Sequence, residues 1–300
     1  MGKHSIKSDK RAISHHYDVG NDFYHLFLGE RKLYSCAYFR TGAEDLDRAQ
    51  ADKLDHICRK LRLKPGERLL DIGCGWGGLI AYAARYYGVD ATGVTISARQ
   101  QEYAAELIAR EGLGASCRVE LLDYRRIPGA GCYDKVVSVG MFEHVGIKNL
   151  PVYFAAAHRL LKNNGLFLNH GITSENAPRR DDSATKFINK YVFPDGELTG
   201  LSRILAVTEA AGFETLDVES LREHYARTLK LWTLNLQANK DRAVELAGEK
   251  IYRTWVLYMA GSAWGFEKGN INVYQVLLAK RSGGFPPVPL TRADIYRAGF

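Results

Sequence analysis

From Leu69 to Leu79 the chain reads LLDIGCGWGGL: an acid, a glycine two places later, and further glycines leading into an apolar helical pattern. Glycines so placed let backbone approach a ligand where side chains would clash. Gly73, Gly75 and Gly77 satisfy the GxGxG pattern of methyl-transferring enzymes, whereas Gly73, Gly75 and Gly78 satisfy the GxGxxG pattern of dinucleotide folds. The glycines alone do not choose. Dinucleotide folds place this loop after their first strand, often near the chain start, with an acid about 20 residues on for the ribose. Here residues 1–67 precede it, and the following strand pattern ends GVTIS with Thr95 and no acid. That weighs against a nicotinamide, and it also departs from the commonest methyltransferase form. A glycine turn with no ligand is the third reading. A second chemical signal is Glu143 beside His144 in VGMFEHVG, after an apolar strand pattern, where open α/β sheets carry function.

The elements that must position these groups are short apolar, β-branched runs alternating with helical patterns. The runs are RLLDIG, DATGVTI, RVELLD, KVVSVG, LFLNHGIT, ETLDVESL and NVYQVLLAKR, the sequence form of a doubly wound sheet. Helices are expected at 78–87, 98–111, 150–161 and 202–211, stopped near Gly88, Gly112, Gly165 and Gly212. Two stretches break the alternation, at 174–201 and 221–270, and are expected to form an α-helical cap. The second holds a long helical pattern over 222–267, rich in Leu, Trp and Tyr. Its stripe Leu229, Trp232, Leu236 reads as core, and Lys240, Arg242 and Lys250 as a solvated face. The expected organisation is an N-terminal helical segment over 1–67 that contributes to the site, then one core over 68–300 carrying the cap.

Composition narrows the function classes. The chain has 300 residues, 46% hydrophobic and 25% charged, enough for a sizeable core and too apolar for wholesale disorder. A formal charge of +7 suits an anionic partner, yet basic and acidic residues interleave without the Lys/Arg block of a nucleic-acid tail. Five cysteines, an odd number with no CxxC spacing, argue against a disulfide framework and a zinc site, and fit a reducing cytoplasm. No apolar run nears the roughly 18 residues of a spanning helix, and MGKHSIKSDKR has no apolar signal core.

Segments along most of the chain resemble the cyclopropane fatty acid synthases, including the mycolic acid cyclopropane synthases. They are HHYDVGNDFY at 15–24, LYSCAYF at 33–39, LLDIGCGWGG at 69–78, GVTIS with Gln100, VSVGMFEHVG at 137–146, NHGIT at 169–173, FPDGEL at 193–198 and the helix of Tyr258. In that family GVTIS replaces the acidic ribose ligand. The resemblance implies a class I methyltransferase fold, α/β and Rossmann-like, with seven strands, the last antiparallel. It implies S-adenosylmethionine as donor and an unsaturated acyl chain in a lipid as acceptor. Methyl transfer to the cis double bond leaves a carbocation, and a bound bicarbonate ion removes a proton as the ring closes.

Carried over residue by residue, the bicarbonate pocket falls on Cys36, Glu143, His170, Ile172 and Tyr258. The donor falls on Tyr34, Ser35, Gly73, Gly75, Gly77, Thr95 and Gln100, with Trp76 expected to cover the loop. Tyr17, Phe142, Tyr191 and Phe193 are candidates for the acyl tunnel, and Arg179, Arg180 and Lys186 for a lipid headgroup. Singly, each has a plain reading: Cys36 as a small buried hydrophobe, His170 as a satisfied strand-end histidine, Tyr258 as a core-facing turn, His144 as structural. Five matches in separate segments favour the pocket. The implied setting is cytoplasmic and peripheral at the inner membrane surface, acting on phospholipid, with a homodimer as a candidate assembly. Bacterial phospholipid members commonly carry an added N-terminal domain, which a shorter member or a catalytic fragment would lack. The rivals are a related C- or N-methyltransferase without ring closure and a non-catalytic adenosyl-ligand or lipid-binding module.

Overall fold

The computed structural model describes residues 20–174, 183–193, 196–286 and 288–296. Seven strands, β1 Arg68–Ile72, β2 Asp90–Thr95, β3 Cys117–Leu121, β4 Tyr133–Val139, β5 Leu161–Thr173, β6 Phe213–Ser220 and β7 Asn272–Lys280, form one sheet in the order 3-2-1-4-5-7-6. The pairs from β3 through β5 are parallel, and β7 runs antiparallel between β5 and β6. This is the class I methyltransferase sheet expected from the sequence. The order reverses between β1 and β4, so a crevice opens beyond the carboxyl ends of those two strands. The glycine loop leaves β1 there, and the turn carrying Glu143 leaves β4 there.

Before the sheet come helices α1 (Asn21–Leu28) and α2 (Leu46–Lys60). The crossover helices are α3 (Gly78–Tyr87), α4 (Ala98–Arg110), α5 (Leu150–Leu160) and α7 (Leu201–Ala210), each within a residue of its expected bounds. Caps explain several ends. The Asp45 carboxylate accepts from Arg48 N at 2.8 Å, and the Ser97 hydroxyl from Gln100 N at 3.4 Å. Helix α3 stops at Gly88, left-handed at φ 65°.

The first inserted stretch contains α6 (Ser183–Tyr191). The long pattern over 222–267 divides into α8 (Arg222–Ala238), α9 (Lys240–Ala247) and α10 (Glu249–Glu267). The breaks have local causes. Asn239 turns its amide onto Asn235 O at 2.9 Å and Leu26 O at 3.2 Å, and Gly248 takes φ 84°. A short helix, α11 (Ala293–Tyr296), ends the described chain.

Apolar side chains gather on both faces of the sheet and under the cap. Helices α2, α3 and α4 bury one face, and α5 and α7 the other. The cap has its own aromatic core, in which Phe23, Tyr24, Phe27, Trp232 and Trp255 are all under 5% exposed. Leu229, Trp232 and Leu236 belong to this core, while Lys240, Arg242 and Lys250 are exposed. Among the described residues no helix is long and apolar enough to cross a membrane.

Candidate active site

The cleft at the switch point is lined by Tyr34, Ser35, Lys53, Asp71, Gly73, Gly75, Trp76, Thr95 and Gln100, and on its far wall by Met141 and His144. It takes in about 1150 Å³ of non-protein space, solvent-facing mouth included. Each glycine of the loop has its own reason. A Cβ on Gly73 would stand 2.7 Å from Met141 Cγ, where the β1 and β4 loops meet. At Gly75, φ is 55° and no atom lies within 4 Å of a Cβ position, so the missing side chain leaves space in the cleft. Gly77 does not line the cleft; it caps α3 at φ 84°, and a Cβ there would meet Ala104 Cβ at 2.8 Å. Its requirement comes from the approach of α4.

Beyond the loop, the Thr95 hydroxyl donates to Gln100 Oε1 at 2.8 Å, joining the end of β2 to the first turn of α4. Trp76 turns out of the loop into the cap, its indole N–H donating to Asn21 Oδ1 at 3.0 Å and its ring 5.4 Å from that of Tyr24. It ties cap to loop as well as lining the cleft. Gln50 of α2 donates to Leu33 O at 3.2 Å and Ser35 O at 3.1 Å, pinning the LYSC segment against the cleft.

Cys36, Glu143, His170, Ile172 and Tyr258 do not line the cleft. Cys36 follows Ser35 and Glu143 precedes His144, both of which line it; contacts join Glu143 to Ile172 and Tyr258, while His170 is bonded to Gln275 and lies in the field of Lys53 and Lys60. Glu143 sits in a tight turn after β4, 6% exposed, and its Oε1 accepts from Ile172 N at 2.6 Å. Gly171 permits this, since a Cβ there would run into the Phe142 ring. Ile172 pairs with Val273, Val273 O accepts from Leu221 N, and the Cys36 thiol lies 3.7 Å from Leu221 O. Tyr258 closes the group from α10: its hydroxyl interacts with those of Tyr34 and Ser262, and it feels the Glu143 charge. His170, on β5, has Nδ1 3.2 Å from the Gln275 amide nitrogen; with that N–H donating, the imidazole proton is on Nε2.

Burial sets the protonation states. It pushes Glu143 up to about 7 and Tyr258 up to about 12, and raises the Cys36 thiol further still. It brings His170 down to about 3, with Lys53 and Lys60 adding to the shift. His170 is therefore a neutral imidazole, Tyr258 a neutral phenol and Glu143 a carboxyl that titrates near neutrality. Glu143 Oε2 is buried without a hydrogen-bond partner among the described residues. That vacant acceptor, in whose field the Tyr258 phenol lies, fits a small oxyanion that carries one proton.

Around the acyl-wall candidates, the Phe193 ring lies 5.4 Å from His144 and 5.7 Å from Tyr258. Phe142 is 2% exposed and packs under β5, whereas Tyr191 is 42% exposed, its ring tilted against that of Phe187 at 5.4 Å. Lys186 is exposed on α6. Tyr17, Arg179 and Arg180 lie outside the described residues. Glu197 fixes the Glu143 turn, its N–H donating to Glu143 O at 3.1 Å and its carboxylate accepting from Ile147 N at 2.9 Å.

Sequence reading missed several groups here. Asp123 follows β3 and lines the cleft with Tyr124 and Arg125, its carboxylate clamping the Arg125 guanidinium at 2.6 and 2.8 Å. Its position at a strand's carboxyl end was the available signal. Asp71, the acid that the glycine motif already marked at the end of β1, is 3% exposed and pushed up to about 7 by burial, with Lys53 pulling the other way. Nothing in the polar pattern of α2 marks Lys53 or Gln50 as buried.

Comparison with known proteins agrees with this geometry. The family model described as mycolic acid cyclopropane synthetase matches residues 4–276. A probable fatty acid methyltransferase of Pseudomonas putida is 49% identical over 297 residues, 98% of this chain and 75% of that protein. The cyclopropane-fatty-acyl-phospholipid synthase of Escherichia coli is 40% identical over 279 residues, 92% of this chain and 70% of its own length. The crystal structure of a mycolic acid cyclopropane synthase complexed with SAH and CTAB superposes with a TM-score of 0.86 at 36% identity, covering 90% of this chain and 98% of that one. With the sheet, the glycine cleft and these likenesses together, the chain belongs to the mycolic acid cyclopropane synthetase family of S-adenosylmethionine-dependent methyltransferases.

Proposed function

We propose that the protein is a cyclopropane-fatty-acyl-lipid synthase, adding a methylene group across the cis double bond of an unsaturated acyl chain, with bicarbonate held by Cys36, Glu143, His170, Ile172 and Tyr258. The observation that supports the reading is the buried, unpartnered Glu143 Oε2 with the Tyr258 phenol in its field. S-adenosylmethionine supplies an electrophilic methyl group on a sulfonium, and bicarbonate supplies a base that accepts a proton from the new methyl group.

The protein's own work is alignment and charge control. Ionised Glu143 accepts a hydrogen bond from the protonated oxygen of the anion, while His170 Nε2–H and the Tyr258 hydroxyl donate to the others. The Cys36 backbone completes the pocket without needing a particular side chain, and the Ile172 N–H, donated to Glu143 Oε1 at 2.6 Å, holds that carboxylate in place. Phe193, over Tyr258 and His144, offers a π face to a cationic acyl chain. The Thr95–Gln100 pair faces the donor's ribose and adenine, and Tyr34 and Ser35 its methionine end.

The acceptor is an acyl chain esterified in a lipid, presented at a membrane surface by a peripheral enzyme, as the name of the Escherichia coli relative suggests. The Pseudomonas putida relative carries the broader name of fatty acid methyltransferase, which keeps methyl transfer without ring closure as the second reading. Glu143→Gln separates the two halves of the proposal. It is expected to abolish ring formation while leaving S-adenosylmethionine affinity within about twofold in titration calorimetry. Bicarbonate-depleted buffer should suppress the wild type, and added bicarbonate should restore it. Full ring formation by the variant would remove the pocket assignment.

A further inference from the structure

Helix α2 buries two lysines that are treated differently. Lys60 is 0% exposed and meets two carboxylates, Glu219 at 2.5 Å and Asp217 at 3.5 Å. Lys53, two turns earlier, is 1% exposed, and among the described residues its ammonium donates only to the Ser35 hydroxyl, at 2.7 Å. No carboxylate lies within 4.0 Å of it among the described residues. A buried ammonium without a counter-charge costs several kcal/mol, which a fold of marginal stability retains where something else supplies the anion. Burial accordingly pulls Lys53 down to about 8, with Asp71 and Cys36 opposing the shift.

Lys53 lines the donor cleft, on the wall shared by Ser35, Asp71 and the glycine loop. We infer that Lys53 binds the carboxylate of the donor's amino-acid end, its ammonium held in place by the Ser35 hydroxyl. The donor's amino-acid end carries one carboxylate and one ammonium. Of the two lysines lining the cleft, Lys32 sits over the Tyr103 ring, 4.3 Å from its centroid, and Lys53 holds the Ser35 hydroxyl; among the described residues neither pairs with a carboxylate, and Asp71 Oδ1 is a buried carboxylate oxygen without a partner. The two sets of charges are complementary. Gln50, one turn before Lys53, fixes the Ser35 backbone, so a single face of α2 both orients the LYSC segment and supplies the cation.

The inference rests on the donor and not on ring closure, so a failure of one leaves the other standing. The test compares binding of S-adenosylmethionine with binding of decarboxylated S-adenosylmethionine, which keeps the sulfonium, ammonium and adenosine. A charged hydrogen-bonded contact in a dry site sets the expected preference for the carboxylate form at about 10- to 100-fold in the wild type. In Lys53→Met the two ligands should bind within about twofold of each other, mainly because the parent donor has weakened. General damage to the cleft weakens both ligands alike and leaves their ratio unchanged, so the ratio isolates the contact. Lys53→Gln, which keeps a donor without the charge, should give an intermediate ratio and serves if the Met variant does not fold. A wild-type ratio near one overturns the inference. So does an undiminished ratio in either variant, including the case where turnover falls at saturating donor, which would assign Lys53 to the pocket of Cys36 and His170.

Discussion

Glu143 is asked to be ionised in a place that favours the neutral acid. Alone in the pocket it titrates near 7, against 4.5 for an ordinary glutamate, because burial penalises the charge. The folded protein thus holds a proton that the unfolded chain releases between these values, and stability falls as pH rises from about 4.5 to about 7. Glu143→Gln removes this term. Relative to the variant, the wild type should lose about 3 kcal/mol across that interval and then level off, a difference readable from paired denaturant titrations at pH 5 and pH 8. Asp71 titrates in the same range but is common to both proteins and cancels. A pH-independent difference would mean that Glu143 is solvated. The five residues of the proposed pocket were singled out in the sequence only because whole segments resembled a family, since each alone reads as ordinary core. Gln275, which fixes the His170 tautomer, and Lys53 were not legible, because their contacts cross strands or helices with no periodic trace.

The glycines of the β1–α3 loop separate ligand space from packing space at the level of elements. Gly75→Ala places a methyl in open cleft at φ 55°, so it should cost about 1 kcal/mol of stability and at least ~10-fold in donor affinity. Gly77→Ala drives a methyl against Ala104 of α4 at φ 84°, and should cost roughly 2–4 kcal/mol of stability with donor affinity reduced mainly through that damage. Thermal melts and titration calorimetry on both variants check the pairing; the opposite ranking would contradict the placement. From sequence the loop was ambiguous, because Gly73, Gly75, Gly77 and Gly78 fit two patterns. What separates their roles is the packing of Met141 and Ala104, which the loop itself cannot reveal. The strands and crossover helices were legible, since apolar period and glycine stops dictate them. The division of 222–267 into three helices was not: Asn239 acts through an amide contact with Leu26, more than 200 residues away in sequence, and Gly248 reads like any tolerated helix glycine.

At the scale of the whole molecule, the sheet reverses order between β1 and β4 and so opens the donor cleft, while the cap helices α1, α8 and α10 bring Tyr258 and the aromatic core down upon it. Ser35 and Cys36 are neighbours, as are Glu143 and His144; Ser35 and His144 line the donor cleft, and Cys36 and Glu143 belong to the proposed bicarbonate pocket. This adjacency suits a reaction in which a methyl group arrives from one side and a proton leaves on the other. The central claim is therefore tested most directly by the product. The protein is incubated with S-adenosylmethionine and vesicles of phospholipid bearing cis-unsaturated chains, and the acyl chains are then analysed by mass spectrometry and proton NMR. The account predicts a gain of one CH2 with loss of the alkene signal and appearance of cyclopropane protons. Retained alkene, or a new methyl branch or N-methyl group without a ring, would contradict it.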